Sequence, residues 1–107
     1  MKIEELLGVT KLKEYYGYKY FLEALRYIKR KNIKDKYEIN LSKLIYPHLM
    51  KKFNTTQTAI SSSMTKALHR MYNEHTEDTR AIYEDLFGSP RRLTPLQFLM
   101  ECVKYLY

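Results

Sequence analysis

The chain has 107 residues, enough for one core and too few for a second independent one, so a large multidomain enzyme is excluded. Hydrophobic residues make up 45% and aromatics 14%, with eleven Tyr and no Trp, which suits a compact soluble domain and is too apolar for a disordered tail. Nineteen Lys and Arg against twelve Asp and Glu leave a formal charge of +7, and that excess points to a polyanionic partner, nucleic acid ahead of an anionic membrane.

Cys102 is the single cysteine, so intrachain disulfides and zinc sites built on several cysteines are excluded and a reducing compartment fits. Charges at Lys2, Glu4 and Glu5 argue against a secretory signal, and no stretch approaches the roughly 20 apolar residues of a membrane span. The expected location is the cytoplasm, with no membrane partner.

Three Gly and three Pro punctuate a sequence whose apolar residues recur at spacings of three and four, the period of a helix, so the expected fold class is all-α. A first helix is predicted over about Lys2 to Leu7, ending at Gly8 as a left-handed stop, and a linker with Thr10 and Lys11 follows. From Gly17 the stripe Tyr20, Phe21, Ala24, Leu25 and Ile28 predicts a second helix, which closes on Lys29, Arg30, Lys31 and Asn32 with its cations at the negative end of the dipole. Pro47 is costly inside a helix and tolerated in its first turn, so residues 41–45 are read as a turn and the third helix starts near Tyr46. Asn54 stops it, Thr55 or Thr56 caps the next, and the longest helix runs from Gln57 to about Asn73. A fifth is predicted from Asp78 to Phe87, ending at Gly88. The sixth starts with Thr94 as cap, Pro95 in first position and Gln97 completing a capping box, and runs through Leu106 to the C-terminus.

A helix of about eight residues, a turn of three, and a long helix form the layout of a helix-turn-helix, whose second helix enters the major groove. Here the turn is Asn54, Thr55 and Thr56, and Asn is the residue after Gly that best tolerates positive φ. On the long helix Ile60, Met64, Ala67, Leu68, Met71 and Tyr72 make an apolar face. The rest offers Gln57, Thr58, Ser61, Ser62, Thr65, Lys66, His69 and Arg70, a set of hydroxyls, amides and cations that can approach phosphates and base edges without repulsion.

Charge placement supports the same segment. Residues 41–72 hold Lys43, Lys51, Lys52, Lys66 and Arg70 and no acid, whereas residues 73–85 hold Glu74, Glu77, Asp78, Glu84 and Asp85 against Arg80. The candidate DNA-binding residues are therefore Lys51 and Lys52 for the backbone, Thr55 and Thr56 in the turn, and Gln57, Thr58, Ser61, Ser62, Thr65, Lys66, His69 and Arg70 on the long helix. Arg92, in the loop before the last helix beside Arg91, is an additional phosphate candidate.

Other chemistries find little footing. No pair among His48, His69 and His75 has the i, i+4 spacing of a zinc helix, so no metal and no cofactor is expected. Ser61, Ser62 and Ser63 lack the glycine framework of a nucleophile elbow, and Cys102 reads as a core thiol, so no enzymatic activity is expected. Tyr15, Tyr16, Tyr18, Tyr20 and Tyr27 read as packing residues ahead of a stacking platform for single strands. A plain αα-hairpin with a solvated basic face remains the bland alternative, and a protein-interaction module of the same fold the functional one.

Leu41, Ser42, Lys43, Leu44, Ile45, Tyr46 and Pro47, then Lys51 to Thr56, resemble the helix-turn-helix entry of the sporulation effector domains, the DNA-binding part of stage-zero sporulation protein A. Further matches lie in order at Leu6 to Val9, at Gly17, Tyr18, Tyr20, Leu22, Glu23 and Ala24, at Leu86 to Gly88, and from Thr94 to Phe98. The resemblance implies a six-helix effector domain that binds duplex DNA through its longer fourth helix as a head-to-tail homodimer. It also implies transcription regulation in contact with RNA polymerase. Where the family's groove-facing helix carries arginines and a glutamate, this chain has Ser61, Ser62 and Thr65, and Lys66 stands where the family has histidine. The family's phosphoacceptor receiver domain has no counterpart here, so phosphorelay control within this chain is not expected.

Overall fold

The computed structural model describes residues 2–9, 12–74, 77–88 and 92–107, and the expectations that fall on Thr10, Lys11, His75 and Arg91 lie outside them. Six α-helices follow in order: α1 Ile3–Val9, α2 Tyr18–Arg30, α3 Tyr46–Phe53, α4 Gln57–Asn73, α5 Glu77–Phe87 and α6 Pro95–Val103. Among the described residues there is no strand, and the all-α class stands.

One apolar cluster ties the six helices together, drawing Leu6 and Leu7 from α1, Phe21 and Leu25 from α2, Leu49 from α3, Met64 and Leu68 from α4, Phe87 from α5 and Phe98 from α6. Aromatic rings knit its centre, with Phe21 edge-on to Phe98 at 5.1 Å, Tyr83 edge-on to Phe87 at 5.0 Å and Phe87 tilted against Phe98 at 5.1 Å. Such geometry sets positive ring edges against negative faces and adds to simple burial. Cys102 is fully buried in this cluster, and burial pushes its thiol well above the usual range, as an inert core residue requires.

The helix ends follow local chemistry. The Thr94 hydroxyl accepts from the Gln97 N–H at 3.2 Å while the Gln97 side chain accepts from the Thr94 N–H at 3.0 Å, so the capping box forms with Pro95 just inside it. Gly88 takes φ 64° after α5, and Asn32 takes φ 57° after α2, where the Ile33 N–H reaches the Ile28 carbonyl at 3.1 Å and closes the last turn.

Three local expectations are corrected. Gly8 does not end α1: the helix continues to Val9, since glycine also accepts a helical φ and the buried Leu6 and Leu7 pin this turn to the core. Residues 41–45 form a widened helical turn, with the Ile45 N–H on the Asn40 carbonyl at 3.1 Å and the Asn40 side chain accepting from the Lys43 N–H at 2.9 Å. The chain therefore enters α3 already coiled, and Pro47 sits in the first turn of α3, directly after the widened turn. The last helix stops at Val103, after which Tyr105 and Leu106 reach back three residues to Cys102 and Val103 at 3.0 Å each, a tighter turn that still buries Leu106. Single 3₁₀ turns at Leu12–Glu14 and Lys36–Glu38 lie between α1 and α2 and between α2 and α3.

Candidate nucleic-acid interface

The junction of α3 and α4 is built by three residues with separate tasks. Asn54 adopts the left-handed conformation at φ 51°, ψ 54°, and its N–H closes α3 on the Met50 carbonyl. Thr55 sends its N–H to the same carbonyl at 3.2 Å, and the Thr56 hydroxyl accepts from the Ala59 N–H at 3.2 Å to cap α4. Thr56 is thus the cap that the sequence left undecided between it and Thr55. Thr55 is half-buried in the turn.

The face of α4 that holds Ile60, Met64, Ala67, Leu68 and Met71 is buried. Thr58, Ser62, Thr65, Lys66, His69 and Arg70 are exposed, Gln57 is exposed at the first turn, and Ser61 is half-buried at the edge. Gln57, Thr58, Ser61 and Ser62 share a shallow open depression at the N-terminal end of the helix. Lys51 and Lys52 are exposed at the end of α3. Arg92 donates to Nδ1 of His69, and the Asn73 amide lies 2.8 Å from Nε2 of the same ring, so the loop before α6 delivers a guanidinium to the exposed side of α4.

Arg70 is less available than its exposure suggests. Its Nε lies 3.4 Å from Glu74, whose carboxylate also accepts from the Tyr15 hydroxyl at 2.7 Å. The bond from Tyr15, ahead of Arg70, holds the Glu74 carboxyl below the usual range, whereas burial and this carboxylate raise the Tyr15 phenol to about 12.

A second cluster, which the sequence reading passed over, fixes α3 to α2. Glu23 is buried on α2 and accepts from His48 Nε2 at 2.9 Å and from Arg30 at 3.1 Å, while the Tyr27 ring stacks on His48 with centroids 4.1 Å apart. Burial alone would push the Glu23 carboxyl up. The bonds from His48 and Arg30, with the charges of Arg30 and Lys52, outweigh it and hold the carboxyl below the usual range. The signal was present as a lone carboxylate beside the apolar stripe of α2, and its partner on α3, 25 residues away, was not readable.

Among the described residues no three metal-ligating side chains converge, and no helix is long and apolar enough to cross a membrane. No family model, curated protein or solved structure matches the chain.

Proposed function

We propose that the chain binds duplex DNA, with α3 and α4 acting as a helix-turn-helix and α4 as the groove helix, and that it is a cytoplasmic transcription regulator related to the sporulation effector domains. One observation carries the reading. The exposed side of α4 is free of carboxylates from Gln57 to Asn73, presents Thr58, Ser62, Thr65 and Lys66, and is flanked by Lys51 and Lys52 across a three-residue turn. Phosphates would meet the lysines, and hydroxyls and amides would meet base edges. Contact with RNA polymerase and pairing of two copies on repeated sites follow from the family resemblance, and no catalytic role is proposed.

The second reading, a protein-interaction module that partners or antagonises a full-length regulator, is favoured by Ser62 and Thr65 standing where arginines would grip guanine. The salt dependence of duplex affinity separates the two. Each phosphate neutralised releases condensed counterions and adds about −0.9 to the slope of log K against log salt. The expected result for a mixed-sequence duplex is a slope steeper than about −2, reduced by Lys51→Ala and Lys52→Ala. A flat response, or no binding at low salt, selects the interaction module.

A further inference from the structure

A groove of about 250 Å³ runs beside α4, between its Ser63, Lys66, Ala67 and Arg70 edge and the segment Tyr15, Tyr16, Gly17 that opens α2. Gly17 makes it: a Cβ there would stand 2.5 Å from the Ser63 carbonyl oxygen and 2.9 Å from the Ala67 Cβ, so only the missing side chain lets α2 start directly against α4. Lys19, two residues on, reaches back over the wall of this groove. Its ammonium donates to the Tyr16 hydroxyl at 3.0 Å and lies 4.3 Å from the centroid of Tyr16, 5.1 Å from Tyr20 and 5.6 Å from Phe53 at the end of α3.

Among the described residues neither Lys19 nor Lys66 has a carboxylate within ion-pair distance. Two ammonium groups without a carboxylate partner among the described residues therefore stand beside the proposed groove helix, Lys66 lining the groove and Lys19 bonded to the hydroxyl of Tyr16, which lines it. One of them is already ordered by ring faces and a hydroxyl, so closing on an anion would cost it less conformational freedom than a free lysine loses. At the far end of the same groove Arg70 is drawn to Glu74 at 3.4 Å, and Glu74 is held in place by the Tyr15 hydroxyl.

We propose that Lys19, positioned by Tyr16, and Lys66 grip the phosphate backbone of duplex DNA in the groove between the start of α2 and α4, and that Glu74 restrains Arg70 from joining them. The backbone contact of the protein then extends from α3 onto α2, which no helix-turn-helix pattern in the sequence indicated. This rests on the duplex reading above. The partner is a row of phosphates because Lys19 and Lys66 have no carboxylate partner among the described residues and stand beside the carboxylate-free exposed side of α4.

The experiment is duplex binding by the full chain at 50 and 200 mM salt, followed by fluorescence anisotropy on one mixed-sequence duplex, with thermal unfolding as the folding control. One phosphate contact makes affinity fall by about 3.5-fold over that fourfold change in salt. Lys19→Ala should lower affinity at 50 mM salt and reduce the 50-to-200 mM ratio by about that factor, and Lys19→Arg should retain it. Tyr16→Phe should weaken binding at 50 mM by less than Lys19→Ala, because the ammonium remains while its position is loosened. Glu74→Gln should do the reverse, raising affinity at 50 mM and enlarging the ratio as Arg70 is released. If the unaltered chain binds and Lys51→Ala weakens it while Lys19→Ala and Glu74→Gln change neither affinity nor ratio, the groove proposal is wrong and the duplex reading stands. A groove made for an acidic protein surface would give that same invariance. If the unaltered chain fails to bind duplex at 50 mM, both fall together.

Discussion

Glu23 shows how one side chain can set the attitude of a binding helix. It is the buried charged residue among those described, and it faces the element that carries Lys51 and Lys52. A buried carboxylate is tolerated only when its lone pairs are used, and here His48 and Arg30 use them. Replacing it by Gln keeps the shape and discards the charge, which should cost about 1–3 kcal/mol at pH 7. The sign with pH follows from linkage: a carboxyl lowered in the folded state contributes stability above its unfolded value, 4.5, and loses that contribution as pH falls through the folded value. Glu4 and Glu74, lowered first by their bonds to Arg26 and Tyr15, add the same trend from the surface. Urea midpoints at pH 7 and pH 3 should therefore show a large gap between the unaltered chain and Glu23→Gln at neutral pH and a smaller one in acid. An equal gap at both values would show that the carboxylate charge is not what the contact uses.

At the scale of elements, what could be read in advance is what local chemistry decides. The bounds of α4, the left-handed Asn54 and the capping box at Thr94 depend on residues within four of one another, and each stands where the sequence put it. The corrections fall where a longer-range partner decides. Gly8 carries no signal that Leu6 and Leu7 are fully buried. The same division applies to the interface, since exposure along α4 follows from helical period, whereas the bond from Arg92 to His69 and the approach of Gly17 to Ser63 need the tertiary arrangement. Gly17 gives the test at this scale. Its φ is −68°, which any residue accepts, so the burden of Gly17→Ala is purely steric, a methyl group driven into the α4 backbone. The expected cost is about 1–3 kcal/mol in chemical denaturation. Gly8→Ala, where the new methyl would meet nothing within 4 Å, should be neutral or stabilising. Equal effects at the two positions would mean that α2 and α4 do not seat against each other through Gly17.

For the molecule as a whole, size and charge together limit what one copy can cover. The chain measures 37 × 28 × 20 Å with a Cα radius of gyration of 12.9 Å. One turn of duplex rises roughly 34 Å, so a single copy lying along its long axis touches about ten base pairs, and two copies on repeated sites need centres about one turn apart. The groove-facing residues Thr58, Ser62 and Thr65 are short and carry single hydroxyls, which can bond several bases and lack the rigid fork of arginine. Affinity should thus come mostly from Lys51, Lys52, Lys66 and, on the proposal above, Lys19, with sequence preference left to groove shape and flexibility. Hydroxyl-radical footprinting on a long duplex should give protections of about ten base pairs per bound copy, broadly distributed at low salt. Ser62→Arg with Thr65→Arg should sharpen them onto guanine-containing sites by about 1–3 kcal/mol for each new two-pronged contact. A single sharp site for the unaltered chain, undiminished when Ser62 and Thr65 are both changed to Ala, would place base recognition on other side chains than those of α4.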